Sequence, residues 1–264
     1  MIYITGDTHG EFGRLSKKKL FNQGIAPTEQ DYLIICGDFG LCWANDRTFE
    51  YHCKNFEQKP YTILWVQGNH ENYDMIAKYP VEEWHGGKVR HILREKVILL
   101  ERGQVFELEG KTFFTFGGAS SHDIEGGVLD RRDPDFEYKR KKANDRDLPY
   151  RIIHESWWPQ ELPSEEEMQE GIRNLERHEN KVDYIITHCC LTSIQNMLNE
   201  WLGYSYEPDV ITEYFQEIEE MVDYNQWYFG HYHRDQYIDE KHRLVYQEMI
   251  PLDECACNEA ASDR

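Results

Sequence analysis

The sequence predicts a layered α/β fold with a largely parallel sheet. Short apolar runs recur, and each ends in a loop that carries Gly, Asp, Asn or His; they are Ile2–Thr5, Tyr32–Cys36, Thr62–Val66, Tyr184–Thr187 and Trp227–Phe229. The first three runs are continuously apolar rather than alternating, as expected of strands covered on both faces. Amphipathic segments follow them at Glu11–Asn22, about Arg47–Gln58 and Asn72–Tyr79. This succession of strand, loop and helix is typical of α/β proteins.

Later parts of the chain predict antiparallel pairs and one well-marked helix. Three runs in the middle of the chain predict antiparallel structure, namely Lys96–Leu100, Gln104–Leu108 and Thr112–Phe116. Another hairpin is predicted near the end by Arg234–Asp239 and Arg243–Glu248. Ser164 followed by Glu167 is a capping-box pattern, which indicates a helix that runs to about Glu179.

The segment between Ser120 and Pro163 is polar and aromatic, without clean periodicity. It is longer than an ordinary connection in a compact domain, which suggests a functional insertion or lid. We therefore expect one domain over residues 1–250, with a lid-like insertion at about 120–163, and a C-terminal tail over 251–264. Cys255 and Cys257 in that tail form a weak metal or redox pattern, and incidental cysteines are the favoured interpretation.

Composition disfavours several classes of protein. The 264 residues include 29 Lys and Arg against 49 Asp and Glu, a net charge of −20. Such a surface repels nucleic acid and anionic membranes unless a local basic patch or a bound metal reverses the field. No apolar run approaches the roughly 20 residues that cross a bilayer, and the first residues lack the pattern of a signal peptide. The seven cysteines show no disulfide spacing, so we expect a cytoplasmic protein without a membrane partner.

The candidate functional residues follow the strand-like runs, at the ends where open α/β sheets bind ligands. They are carboxylates, one amide and several imidazoles: Asp7, His9, Asp38, Asn69, His70, His188, His231 and His233. Such side chains ligate divalent ions of the Mn, Fe, Zn, Ni or Co type. Any one fragment alone is more often an ordinary turn. Five fragments, each at a strand end, predict a site in which seven of these residues hold two ions and one carboxylate bridges them.

The motifs closely resemble those of the calcineurin-like metallophosphoesterase superfamily. Residues 1 to about 248 carry the resemblance, through Gly6-Asp7-Thr8-His9-Gly10, Gly37-Asp38, Gly68-Asn69-His70-Glu71, Thr187-His188 and Gly230-His231-Tyr232-His233. The resemblance implies a four-layer α/β/β/α sandwich of two mixed sheets, with a dinuclear metal site at the sheet edge. It also implies two divalent ions, of which manganese is the favoured identity.

The resemblance implies a role for each candidate residue. One metal site would consist of Asp7, His9, Asp38 and His233. The second site would share Asp38 as the bridge and would add Asn69, His188 and His231. His70 would face the substrate as the catalytic residue and would not bind metal.

The implied reaction is hydrolysis of a phosphomonoester or phosphodiester bond. Two cations roughly 3.5–4 Å apart bind phosphate oxygens and lower the pKa of a bridging water, whose hydroxide attacks phosphorus in line with the leaving oxygen. His70 would donate a proton to the leaving group or stabilise charge in the transition state. In the protein-phosphatase branch, an Asp and an Arg follow the second motif, whereas this chain has Leu41 and Cys42 there. Asp46 and Asp74 are therefore the candidates to orient His70.

The insertion resembles that of a bacterial and phage branch with a Gly-Gly-Ala turn and a Trp-Trp-Pro motif, here Gly117-Gly118-Ala119 and Trp157-Trp158-Pro159. Residues 131–146 carry seven basic side chains against four acidic ones. In one interpretation the insertion binds substrate, with phosphate contacts from Arg131 and Arg132 and ring stacking from Trp157 or Trp158. In the other, the basic run is a solvated loop and the tryptophans are packed as its anchor.

The leading function is a metal-dependent phosphoric ester hydrolase with a small phosphorylated or nucleotide substrate. A nuclease or a protein phosphatase is the alternative. The acidic total disfavours nucleic acid as a partner, and Leu41 weakens the protein-phosphatase assignment. A non-catalytic scaffold of the same fold is less favoured, because every ligand position is filled.

Overall fold

The computed structural model describes residues 1–252, so the tail features at Cys255 and Cys257 lie outside the described residues. Its strands are β1 (Ile2–Thr5), β2 (Tyr32–Ile35), β3 (Thr62–Trp65), β4 (Val81–Trp84), β5 (Gly87–Leu93), β6 (Val97–Leu100), β7 (Gln104–Leu108), β8 (Lys111–Phe116), β9 (Val128–Leu129), β10 (Arg151–Ile152), β11 (Tyr184–Thr187), β12 (Gln226–Phe229), β13 (Gln236–Tyr237), β14 (His242–Leu244) and β15 (Ile250–Pro251). Its α-helices are α1 (Lys17–Asn22), α2 (Arg47–Glu57), α3 (Tyr73–Ile76), α4 (Phe136–Asp145), α5 (Glu165–Arg177), α6 (Thr192–Leu202) and α7 (Val210–Met221).

Two mixed sheets form the centre of the protein. The first has the strand order β15-β1-β2-β3-β6-β5-β4, and the second has the order β13-β14-β12-β11-β8-β7. In the first sheet β1, β2, β3 and β6 run parallel, and in the second β8, β11, β12 and β14 do. Next to these parallel sets, β15, β5, β13 and β7 pair antiparallel, and β4 pairs antiparallel to β5. The carboxyl ends of the parallel strands of each sheet therefore meet at one edge.

The strands bury both faces because successive side chains point in opposite directions. Between the sheets, Ile4 and Ile34 pack in one cluster with Ile186 and Tyr228 of the second sheet. The other face of the first sheet packs against α1, α2 and α3, with Leu20, Phe56 and Met75 in its core. The other face of the second sheet packs against α5, α6 and α7, with Leu175, Leu198 and Phe215 in its core. The predicted four-layer α/β/β/α sandwich is confirmed.

The first predicted helix is divided in two. The expected helix over 11–22 is a short 3-10 helix, Phe12–Leu15, followed by α1. Ser16 between them is extended, with φ −72° and ψ 148°, so the backbone hydrogen-bond ladder is broken there. The helix expected at 72–79 is also shorter, since α3 is a single turn. Asn72 caps its N-terminus, because its side chain accepts a hydrogen bond from the backbone N–H of Met75.

The hairpin of β4 and β5 was not predicted from the sequence. Its connection is the two-residue turn His85-Gly86, with Trp84 paired to Gly87. Both turn residues have positive φ, 47° and 93°, as tight hairpin turns require. The first strand is acidic and partly exposed, with Glu82 and Glu83, so its sequence does not show the apolar pattern that indicates a strand.

The insertion is folded rather than irregular. It contains the parallel pair β9 and β10, helix α4, and a 3-10 helix at Pro159–Glu161. The buried guanidinium of Arg102 fixes its end, because it donates to the carbonyls of Gly117 (2.7 Å) and Gln160 (2.7 Å). The capping box of Ser164 and Glu167 starts α5 directly afterwards, as predicted.

None of the helices in residues 1–252 is long and apolar enough to cross a membrane.

Candidate functional site

The eight candidate residues converge at the carboxyl edge of the two sheets. The loop after β1 carries Asp7 and His9, and the loop after β2 carries Asp38. Asn69 and His70 follow β3. From the second sheet, His188 follows β11, and His231 and His233 follow β12. These loops face each other because the two sheets pack with their parallel strand ends at the same side.

The backbone at this edge is held in conformations that side chains rarely adopt. Four of the candidates have positive φ: His9 (46°), Asp38 (47°), His231 (69°) and His233 (52°). Such conformations cost about 1–3 kcal/mol each and persist where surrounding structure enforces them. Gly68 shows how closely the loops approach, since a Cβ there would lie 2.0 Å from Oδ1 of Asp38.

The first of two clusters of potential ligand atoms contains Asp7, His9 and His233, whose donor atoms all lie within 4.8 Å of one another. Nε2 of His233 is 3.2 Å from Oδ2 of Asp7. Nε2 of His9 and Nε2 of His233 are 2.9 Å apart. Ring nitrogens that converge on a buried carboxylate form a suitable set for a borderline divalent cation.

The second cluster contains Asp7, Asp38 and His188, all three buried. Nε2 of His188 is 3.4 Å from Oδ2 of Asp38 and 3.1 Å from Oδ1 of Asn69. Nδ1 of His188 donates to the carbonyl of Cys36 at 2.8 Å. A metal-binding histidine characteristically gives its other N–H to a backbone carbonyl or carboxylate, so the donor arrangement fits a cation.

Asn69 and His231 lie beside these clusters. The ring of His231 is 5.0 Å from that of His188, centroid to centroid, and its backbone N–H donates to the carboxylate of Asp7 (3.1 Å). His231 itself belongs to neither cluster among the residues that the structure describes. The eight residues are thus brought together, and their individual roles stay predictions.

Burial and charge act in opposite directions on the two central groups. Burial opposes ionisation of Asp38, but His188, His70 and His9 hold its pKa well below the usual range. Burial likewise opposes protonation of His188, but Asp38 and Asp7 raise its pKa to about 9. Two buried carboxylates therefore create a negative centre that requires a positive partner.

Glu71 supports the loop that carries Asp38. Its Oε1 accepts a hydrogen bond from the backbone N–H of Phe39 at 2.9 Å. Burial, together with the nearby Asp38, raises the pKa of Glu71 to about 8. The fourth residue of the Gly-Asn-His-Glu motif is therefore a loop support and not a candidate ligand.

A pocket of about 230 Å³ opens directly above the clusters. Its lining includes predicted residues and five others that the sequence analysis did not assign to the site: His122, Asp123, Tyr204, Tyr206 and Tyr232. His122 and Asp123 stand within the segment after the Gly-Gly-Ala turn. Tyr204 and Tyr206 follow Gly203, which ends α6 with φ 71°, so a glycine followed by aromatics was the available signal.

The family model described as calcineurin-like phosphoesterase matches residues 1–235. The chain belongs to this family. It is therefore a metal-dependent phosphoric ester hydrolase. No curated protein matches the chain.

Among solved structures, this phosphoesterase is similar to phosphopantetheinyl hydrolase from Mycobacterium tuberculosis, at 15% identity and a TM-score of 0.37. The match covers 93% of this chain and 87% of that one. A likeness at this level carries no argument about the substrate.

His70 of this phosphoesterase points toward the pocket and contacts the insertion. Its Nδ1 lies 3.3 Å from Nη2 of Arg151. Arg151 in turn forms a bidentate ion pair with the carboxylate of Asp123. Burial lowers the pKa of His70 and Arg151 lowers it further, although Asp38 acts in the opposite direction.

The two carboxylates proposed to orient His70 lie elsewhere, and that expectation is corrected. Asp46 accepts from the backbone N–H groups of Thr48 and Phe49 and so caps α2. Asp74 accepts from Nε1 of Trp158 and contacts His154, both at 2.8 Å. The partner of His70 comes instead from β10, 81 residues further along the chain, which no local pattern indicates.

The four predicted substrate contacts are not among the described residues that line the pocket. Arg131 pairs with Glu155, and Arg132 pairs with Asp130, on exposed surface. Trp158 is only 1% exposed and packs with its ring 5.8 Å from that of Trp43. Trp157 is half-buried. The placement of these residues favours the packing interpretation, and a role in substrate binding stays a prediction.

Proposed function

We propose that this chain is a dinuclear metal-dependent phosphoesterase that hydrolyses phosphomonoester or phosphodiester bonds of a small phosphorylated or nucleotide substrate. The observation that carries the proposal is the overlap of the two ligand clusters. Asp7 belongs to both of them. Oδ2 of Asp38 lies 3.4 Å from His188 Nε2 and 3.7 Å from His9 Nε2, so Asp38 also lies close to ligand atoms of both clusters.

The proposed ligand assignment is the one that the family resemblance implies, with Asp38 shared between the ions, and the position of Asp38 between His9 and His188 supports it. One ion would be held by Asp7, His9, Asp38 and His233. The other would be held by Asp38, Asn69, His188 and His231. Two such cations, of which manganese is favoured, would supply Lewis-acid polarisation of the phosphate and activation of a water for attack on phosphorus.

The protein itself would supply orientation and a proton through His70, whose side chain lines the pocket beside the ligand candidates. A guanidinium can only donate, so Nδ1 of His70 accepts from Arg151 and the ring carries its proton on Nε2. That N–H can donate to a phosphate oxygen or to the leaving oxygen as charge develops there. Arg151 is proposed to keep the imidazole in this tautomer.

The size of the pocket supports a small substrate. About 230 Å³ lies between the metal-ligand candidates and the aromatic residues of the 203–208 loop, which is slightly smaller than the roughly 300–1,000 Å³ of typical small-molecule sites. Four of the seven basic side chains in residues 131–146, which would have to guide a polymer, are paired with local carboxylates: Arg131, Arg132, Lys139 and Arg140. These features favour a small ester over a nucleic acid or a folded protein.

The test compares hydrolysis of p-nitrophenyl phosphate and bis-p-nitrophenyl phosphate after chelation and after Mn²⁺ is restored. Metal-dependent turnover supports the proposal, and the ratio of the two rates distinguishes monoesterase from diesterase activity. Asp38→Asn should lower this turnover, and Asp130→Asn is its matched control for carboxylate loss, because Asp130 does not line the pocket and pairs locally with Arg132. Turnover that survives chelation, or absence of turnover with both esters in the metal-loaded protein, contradicts the proposal.

A further inference from the structure

An ordered row of aromatic rings leads from the metal-ligand candidates to the surface. The ring of His122 lies 5.2 Å from that of His231. His122 stacks on Tyr206 with centroids 3.5 Å apart and an angle of 6° between the planes. Tyr206 stacks on Tyr204 at 4.8 Å and 26°. His122, Tyr204 and Tyr206 all line the pocket that contains Asp38 and His70.

The loop that carries the tyrosines is fixed in place. The side chain of Asn199 on α6 makes two hydrogen bonds to the backbone of Tyr206: it accepts from the N–H (3.2 Å) and donates to the carbonyl (2.8 Å). At the other end, Asp209 caps α7 and accepts from the hydroxyl of Ser120, at the start of the insertion. A ring-bearing ligand would therefore meet a preorganised surface, which lowers the entropy cost of binding.

The outer ring of the row is available to a ligand. Tyr204 is 36% exposed, whereas both faces of Tyr206 are covered, by His122 and by Tyr204. The fold does not need this exposure, since an exposed tyrosine at a loop adds nothing to a core. The charge nearby suits an uncharged group, because the cation of Arg151 is already paired with the carboxylate of Asp123.

We propose, on the basis of the function above, that the exposed ring of Tyr204, backed by the stacked rings of Tyr206 and His122, forms a stacking platform for a planar aromatic group on the alcohol side of the phosphoester. The substrate class is then a nucleoside monophosphate or a similar ester whose leaving group carries a flat, uncharged ring. Stacking of this kind tolerates different bases, because each of them has a π-face. The tryptophans of the insertion, one of them buried, are not required for this role.

The experiment compares adenosine 5′-monophosphate with ribose 5-phosphate, which share the scissile bond and the leaving oxygen and differ only in the base. We expect a higher kcat/KM for the nucleotide. Tyr204→Ala should reduce the ratio of the two kcat/KM values about tenfold, the effect of one lost stacking partner, and Tyr204→Phe should retain it. Tyr138→Ala is the matched control, because Tyr138 is 69% exposed on α4 and outside the pocket.

Adenosine binding, measured by titration calorimetry on the Mn²⁺-loaded protein, provides a readout without turnover. Binding that weakens in Tyr204→Ala and persists in Tyr204→Phe supports the platform even where neither ester is cleaved, in which case the proposed monoesterase activity fails alone. Equal kcat/KM for the two esters, or a ratio and an adenosine affinity that Tyr204→Ala leaves unchanged, overturns the platform and leaves the proposed function standing.

Discussion

Nη2 of Arg151 lies 3.3 Å from Nδ1 of His70, so a cation occupies the place where a carboxylate was expected to orient the imidazole. A carboxylate would hold the proton on Nδ1, whereas the guanidinium requires it on Nε2. Burial and this positive charge both lower the pKa of His70. The candidate catalytic histidine is thus a neutral donor whose orientation depends on the insertion.

The first prediction concerns this contact. Arg151→Met should lower kcat for p-nitrophenyl phosphate about 10- to 100-fold, the usual cost of losing a partner that orients a functional side chain. Arg151→Lys should recover part of the loss, because an ammonium can still donate to Nδ1 but cannot hold Asp123 in a bidentate pair. Steady-state kinetics with a thermal-melting control measures both. Equal rates for Met and Lys variants and wild type would show that Arg151 does not position His70.

The second prediction concerns the basic run of the insertion. The double substitution of Arg131→Gln and Arg132→Gln should change kcat/KM less than about twofold, because both side chains are exposed and already paired with local carboxylates, and solvent screens such surface pairs. The comparison is made on the ester that wild type hydrolyses best. A tenfold or larger loss of kcat/KM would instead indicate that these arginines contact the substrate.

The third prediction separates packing from function at Trp158. Removing this buried ring in Trp158→Ala should lower the free energy of unfolding by about 3–5 kcal/mol. Trp158→Phe keeps most of the volume and loses the hydrogen bond to Asp74, so it should cost about 1 kcal/mol from that bond. Denaturant unfolding measures both changes. A Trp158→Ala protein of wild-type stability with weakened substrate binding would favour the stacking interpretation.

The fourth prediction is a pH dependence of stability at His242, which lies away from the pocket. Nδ1 of His242 contacts Asp239 at 2.9 Å, and Nε2 contacts Tyr224 (3.1 Å) and Glu219 (3.4 Å). Burial favours the neutral ring, but the two carboxylates outweigh it and raise the pKa.

A raised pKa means that the charged ring stabilises the fold fully below pH 6.5 and that this contribution is lost as pH rises through the folded-state value. The stability difference between wild type and His242→Gln, on the order of 1 kcal/mol at pH 6, should shrink at pH 9. Melting curves across this range measure the difference. A difference that is constant or grows with pH would contradict the assigned charge state.

Sequence sufficed for the parts of the protein that short patterns encode. The strands that end at Asp7, Asp38 and Asn69 are continuous apolar runs followed by glycine-rich loops, so both their existence and the edge at which their ligands meet follow from the pattern. The capping box at Ser164 likewise placed α5 to within a few residues. Local signals of this kind act within one turn or one strand.

The parts that were missed depend on contacts between distant segments. Arg151 reaches His70 because Arg102 hydrogen-bonds to the end of the insertion and β10 pairs with β9. No local sequence pattern predicts either contact. Tyr204 and Tyr206 join the pocket because Asn199 fixes their loop. Trp157 and Trp158 attracted a functional interpretation because paired aromatics look alike whether they bind a ring or fill a core.

A dinuclear centre at this edge of the sheets is tested most sharply by titrating the metal-free protein with Mn²⁺ while bound metal and the rate of p-nitrophenyl phosphate or bis-p-nitrophenyl phosphate hydrolysis are followed together. We expect activity to rise until two equivalents are bound per chain, and Asp38→Asn, which removes the carboxylate facing both clusters, to lower the rate at least about a hundredfold and to reduce the bound metal. Full activity at one equivalent, or a fully active Asp38→Asn protein, would contradict a dinuclear centre at this edge of the sheets.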